Sequence, residues 1–192
     1  MAKYDDDVFD KLMDIVRRHW KAIDDYDSVI AECPTKLMSI GIALYGMFYP
    51  DPEIAKYFDY KGKLTDNEKR RHYTYFFDER GRLRLTERYV EKGKLCDLIF
   101  YYYYEDYVEI VWWSVKGKFV EITGYLEYEN GKLAKYVESF DLELETKYNK
   151  KIQTYHEYIF NTEDEFIRHR SYSELFGFDG KPDERISKMR KR

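Results

Sequence analysis

Four histidines, two cysteines and a knot of aspartates are the residues that a catalytic or metal-binding reading of this chain would have to use. His19, His72, His156 and His169 stand apart, and none is spaced from another as in HxxxH, where two imidazoles on one helix face converge on a metal. His72 and His156 fall on the first and last strands of the β-rich stretch described below, so they meet only if that sheet closes or curls. With Glu157 beside it, His156 would then suit general acid/base work, but adjacent strand residues point to opposite faces, and the two serve one site only across a bulge. The reading preferred for both is a structural histidine. Cys33 precedes Pro34 at an expected helix start, where free N–H groups lower a thiol pKa, so it is a better nucleophile candidate than Cys96. Neither cysteine belongs to a CxxC or Cys/His pattern, and both read as reduced structural thiols. Asp24, Asp25 and Asp27 would suit a divalent cation, yet they lack the glycine and further ligands of a calcium loop and read as a solvated helix end. There is no GxSxG, no glycine-rich phosphate loop and no paired-carboxylate motif, so neither a metal nor a cofactor is expected.

Two other groupings point to binding rather than to reaction. Tyr101 to Tyr104, Tyr107, Trp112 and Trp113 concentrate aromatic rings; with Tyr102, Tyr104, Trp112 and Tyr125 as its wall, a concave sheet face would take a small apolar or aromatic ligand. Core filling explains the same residues and is preferred. Arg82, Arg84 and Arg88 make a basic row and Asp141, Glu143 and Glu145 an acidic one. Like charges in a row repel unless solvent or a partner neutralises them. An aromatic-flanked acidic face would suit a basic protein partner, although solvated rows that discourage edge-to-edge aggregation explain the pattern too.

These residues must be positioned by a chain of 192 residues, enough for one domain with a real core. Hydrophobic content of 44% with 36% charged residues argues against disorder, and the 19% aromatic content, with 21 Tyr, belongs to sheets. The formal net charge of −4 supplies no global basic field, so nucleic-acid binding is not expected. The acidic N-terminus lacks a secretory signal's basic and apolar regions, and no apolar run approaches the ~20 residues of a membrane span. The expectation is a cytoplasmic protein with no membrane contact.

Along the chain, Val8, Phe9, Leu12, Met13, Ile15, Val16, Trp20 and Ile23 give one apolar stripe on a first helix behind Asp5-Asp6-Asp7. Leu37 to Tyr49 is apolar nearly all round and reads as a second, buried helix stopped by Pro50, although Gly41 and Gly46 allow a strand, with a short third helix after Pro52. From His72 to Phe160, turn signals at Glu79-Arg80-Gly81, Glu91-Lys92-Gly93, Glu105-Asp106, Val115-Lys116-Gly117, Glu129-Asn130-Gly131 and Tyr148-Asn149-Lys150 divide β-branched and aromatic runs. The strands Leu95 to Tyr104 and Tyr107 to Val115 are apolar at both parities and belong in the middle of the sheet, with N-terminal helices on one face. Thr162 to Glu165 is a capping-box pattern that opens a C-terminal helix stopped by Gly177.

Tyr75-Phe76-Phe77-Asp78-Glu79-Arg80-Gly81-Arg82-Leu83 resembles one unit of the YD repeat of bacterial Rhs-type toxin shells, in which Tyr-x-Tyr-Asp-x-x-Gly-Arg-Leu forms a hairpin. Phe77 stands where the family has its second Tyr, and two later turns keep only Gly-Lys-Leu. The resemblance covers one hairpin and implies a turn rather than a chemistry, with glycine taking the positive φ.

The fold expected is α+β: N-terminal helices packed on a curved antiparallel β-meander of about seven strands, curling towards a partial barrel, with a short C-terminal helix. Residues 1–178 form a single domain (helical layer 1–60, meander 72–160, helix 162–176), and 179–192 form a polar basic tail. The function expected is non-enzymatic binding, as a bacterial protein-interaction module of the immunity or inhibitor type. The alternatives are a small-molecule binder with an aromatic pocket and an enzyme with a strand histidine as base.

Overall fold

A computed structural model of the protein describes residues 6–41, 62–90, 93–140, 154–160, 166–173 and 183–185. Helix α1 (Asp6–His19) opens with acids and ends with Arg17, Arg18 and His19, charges that oppose the helix dipole at both ends. Val8, Leu12, Ile15 and Val16 are its buried stripe, while Asp7, Asp10, Asp14 and Arg17 face solvent. The stripe stops there: Trp20 is 59% exposed and Ile23 is exposed too, outside the core expected for them. A 3₁₀ turn (Ala22–Asp25) and α2 (Tyr26–Ala31) follow.

The remaining described elements are strands, apart from a 3₁₀ turn at Glu68–Arg70. They are β1 (Thr35–Ile40), β2 (Lys63–Leu64), β3 (Tyr73–Phe77), β4 (Leu83–Val90), β5 (Lys94–Tyr103), β6 (Tyr107–Ser114), β7 (Phe119–Glu129), β8 (Lys132–Phe140), β9 (Thr154–Phe160), β10 (Phe166–Ser173) and β11 (Asp183–Arg185). Hydrogen bonding orders them β11-β10-β9-β8-β7-β6-β5-β4-β3-β1-β2. From β3 to β9 each strand pairs with the next in sequence, the seven-strand meander read from the turn signals. The sheet is larger than expected because β1 and β2 extend one end and β10 and β11 the other. Among the described strands its order is linear and not closed.

Local chemistry accounts for the hairpins. At Asn130-Gly131 both residues have positive φ (52° and 76°), as a two-residue turn matching the strand twist requires. At the β3–β4 turn, Asp78 Oδ1 accepts the N–H groups of Arg80 and Arg82 at 3.0 and 2.9 Å, Oδ2 accepts the Arg82 guanidinium, and Gly81 takes φ 75°. The central strands are buried at both parities as expected, for example Leu98, Ile99, Phe100 and Tyr101 on β5 and Val108 to Trp113 on β6.

Two expected helices are strands where the chain is described. Residues 35–40 form β1, antiparallel to β3 in a register that sets Leu37 opposite Tyr75. The apolar run that suggested an all-round buried helix begins instead as a strand with a paired neighbour on each side, where β-branched and long apolar residues fit equally well. Residues 166–173 form β10 against β9, with a shift of register between Phe166 and Arg168. That segment mixes Ile, His, Ser and Tyr, weak helix formers, and β9 offered it an unpaired edge. The rest of the second helix, the third helix, the turn at Tyr148-Asn149-Lys150 and most of the tail lie outside the described residues. Among the described residues, no helix is long and apolar enough to cross a membrane.

The chain divides into two compact units, one built on residues 1–20, 103–111 and 120–190, the other on 21–102, 112–119 and 191–192. In the first, α1 lies on the sheet face carrying Tyr107, Glu109, Tyr125 and Glu127: Lys11 Nζ is 2.6 Å from Glu127 Oε1, and 4.2 and 4.9 Å from the Tyr125 and Tyr107 ring centres. In the second, the Tyr26 and Tyr89 hydroxyls donate to the two oxygens of buried Glu87 at 2.6 and 2.5 Å, tying α2 to β4.

Candidate functional site

Two buried glutamates, on opposite faces of the first unit's sheet, organise the polar groups with most chemical capacity. Glu109 on β6 is fully buried beneath the C-terminal end of α1. One of its oxygens accepts the Arg18 guanidinium; the other meets His19 Nε2 at 2.7 Å and accepts the Tyr104 hydroxyl at 3.1 Å. Burial alone would raise this carboxyl, but hydrogen bonds from His19 and Arg18 and the Arg18 charge outweigh it and hold it below the usual range. Burial, and then the Glu109 charge, push the Tyr104 phenol up. The cluster reaches solvent: the Arg18 side chain is 48% exposed, Tyr104 is 42% exposed and stacked on Tyr107 at 4.3 Å, and Trp20 follows His19 in the chain.

Glu138 on β8 has a different environment. It is 6% exposed, and its oxygens accept hydroxyls from Tyr136 and, at 3.3 Å, from Tyr158. The two phenol rings stack at 5.3 Å, and His156, directly opposite Glu138 in register, stacks on Tyr158 at 6.5 Å. Burial pushes the Glu138 carboxyl up to about 7, against the lowering effect of both phenolic hydrogen bonds. A carboxyl that changes charge near neutrality can exchange a proton or meet a cation at working pH.

The residues singled out from sequence are distributed differently. Tyr125 is 1% exposed under α1, and Trp112 is 5% exposed with the Arg88 guanidinium 5.1 Å from its ring centre, so neither lines an open concavity. Tyr102 donates to Asp25 at 2.8 Å, and of the four proposed wall residues only Tyr104 and Tyr125 belong to the same unit as each other and α1. Each arginine of the basic row has its own acid: Arg82 pairs with Asp78, Arg84 lies 3.6 Å from Glu32, and Arg88 pairs with Asp97. Asp141, Glu143 and Glu145 lie outside the described residues. His72 accepts the Gly41 N–H at 3.0 Å beside β3, six places from β9 in the linear strand order. Glu157 pairs with Lys135 at 2.7 Å, on the face opposite His156.

Cys33 requires a correction. It follows the C-terminal end of α2 instead of opening a helix, and burial raises its thiol, the reverse of nucleophile activation. Among the described residues, no group of three or more His, Cys, Asp or Glu side chains could hold a metal.

Both glutamates were missed from sequence, and both carried a signal. Glu109 interrupts a run that is apolar at both parities, and Glu138 shares its parity with Tyr136 and Phe140, so each is an acid in a position that faces the interior. No family model, curated protein or solved structure matches the chain.

Proposed function

We propose that the protein is a non-enzymatic binding protein, an interaction module of the immunity or inhibitor type that docks a basic protein through the outer surface of α1 and the Trp20 end. The observation that carries this reading is the cluster on Glu109. One buried carboxylate holds Arg18, His19 and Tyr104 in place, and Trp20 stands 59% exposed beside them. Trp, Tyr and Arg are the residue types that dominate binding energy at protein interfaces, and a pinned side chain loses less freedom on docking than a mobile one. Asp7 and Asp10 add exposed acids on the solvent side of the same helix, with Asp14 paired to Arg17 at 2.8 Å, and these acids and the net charge of −4 favour a partner of opposite charge.

Native mass spectrometry of the protein isolated gently from its own host tests the reading, with Trp20→Ala alongside. Truncating so exposed a side chain leaves stability within about 0.5 kcal/mol. The expected result is a stoichiometric basic chain held by the parent protein, released by raised salt and lost from Trp20→Ala. Equal retention by both proteins would remove Trp20 from the interface, and a small-molecule adduct in place of a second chain would overturn the module itself.

A further inference from the structure

The other buried carboxylates of the first unit among the described residues each face a cation: Glu109 has Arg18, and Glu157 has Lys135. Glu138 has none among the described residues, only two phenols. On the other face of the same strands the chain displays what a carboxylate between two tyrosine rings can hold. Lys11 places its ammonium 2.6 Å from Glu127 and over the rings of Tyr107 and Tyr125. Glu138 with Tyr136 and Tyr158 repeats that grouping of one carboxylate and two tyrosines on adjoining strands.

We propose that the Glu138 group is a binding site for an alkylammonium ion, held by the carboxylate and by the faces of Tyr158 and His156. Oε2 is committed to the Tyr136 hydroxyl, whereas Oε1 accepts only the long 3.3 Å bond from Tyr158 and keeps capacity for a charged donor. Tyr158 and His156 are half-buried, so the group reaches solvent on the β9 side. On the β7 side Glu138 faces Gly124, where an added Cβ would stand 2.5 Å from the Val137 carbonyl oxygen, so this backbone admits no side chain there. On β8 and β9 the titratable groups on the Glu138 face are Tyr136, Tyr158 and His156, and on β10 the register sets His169 opposite Tyr158; Lys135 and Glu157 pair with each other on the opposite face. A phenol-lined carboxylate prefers an ammonium to a neutral amine or alcohol, because both the charge and the ring quadrupoles select for a cation.

The test is an NMR titration of the full chain with n-butylammonium at pH 8, following the ring signals of His156 and Tyr158, with n-butanol as the neutral control of the same shape. The proposal expects saturable shifts at these rings with a Kd of order millimolar, no response to n-butanol, and binding about tenfold or more weaker at pH 5.5, where the carboxyl takes up its proton. Glu138→Gln, which keeps the size and one acceptor oxygen for the phenols, is expected to abolish the response while leaving signals away from the site unchanged. Tyr158→Phe keeps the ring and frees Oε1, and is expected to bind at least as tightly as the parent. No saturable shift at pH 8, an equal response to n-butanol, or full binding by Glu138→Gln would each overturn the proposal.

Discussion

Asp78 shows how much one side chain does in this chain. Its carboxylate is 8% exposed, and burial alone would raise its pKa, yet the Arg82 and Arg80 N–H groups and the Arg82 guanidinium hold it below the usual range. Those bonds close the β3–β4 turn. Asp78→Ala leaves two N–H donors and a guanidinium without their acceptor, and is expected to cost about 2–3 kcal/mol, read as a lower urea midpoint at unchanged slope. Gly81→Ala meets nothing within 4 Å, so only the positive φ opposes it, and about 1 kcal/mol is expected. If Asp78→Ala cost less than its glycine neighbour, the side chain would not be the element that sets the turn.

For α1 the deciding question is what fixes it to the sheet. Val8, Leu12, Ile15 and Val16 supply apolar contact, which is non-directional, while Glu109 and Glu127 receive Arg18, His19 and Lys11 and so set the helix's position along its axis. Glu109→Gln keeps the volume and removes the charge. Because Arg18 is half exposed the loss is discounted to about 1–2 kcal/mol. Hydrogen exchange is expected to quicken in α1 while β7 and β8 keep their protection; an even rise across all three would show that the ion pairs do not act on the helix in particular. The elements also show what a sequence makes legible. The strands of the meander carry their own boundaries in Gly81, Gly93 and Asn130-Gly131, because a hairpin is settled by residues next to one another. Strand β1 is illegible because its partner, β3, is supplied by a distant part of the chain, whereas β10 pairs with the strand just before it behind a capping-box pattern that suggests a helix. Trp20 and Ile23 continue the period of α1 in sequence, yet the helix ends at His19 and leaves both exposed. Histidines and cysteines drew attention as reactive types, whereas the polar centres are glutamates, made unusual only by the strands that bury them.

At the scale of the whole protein these centres combine into a pH profile of stability. Glu109 and Asp78 have folded pKa values below their ordinary ones, so they stabilise the fold above the normal carboxylate range and that contribution is lost as pH falls through their folded values. Glu138 works in the other direction. Its folded pKa is raised from 4.5 to about 7, so the stability linked to its proton is complete below about 4.5 and is lost as pH rises through about 7. That displacement corresponds to about 3 kcal/mol between the protonated and fully ionised limits. The two trends oppose each other, and among the described groups the decline towards pH 8 is carried by Glu138. Urea unfolding across this range checks it. The parent protein is expected to lose about 3 kcal/mol between pH 4.5 and pH 8, and Glu138→Gln, which has no proton to give up, is expected to lose far less. A variant whose alkaline decline matched the parent's would show that the proton on Glu138 is not what the alkaline limb reports. A flat alkaline limb in Glu138→Gln, together with a parent protein whose stability at pH 8 rises when n-butylammonium is added, would mean that proton and cation compete for the same carboxylate.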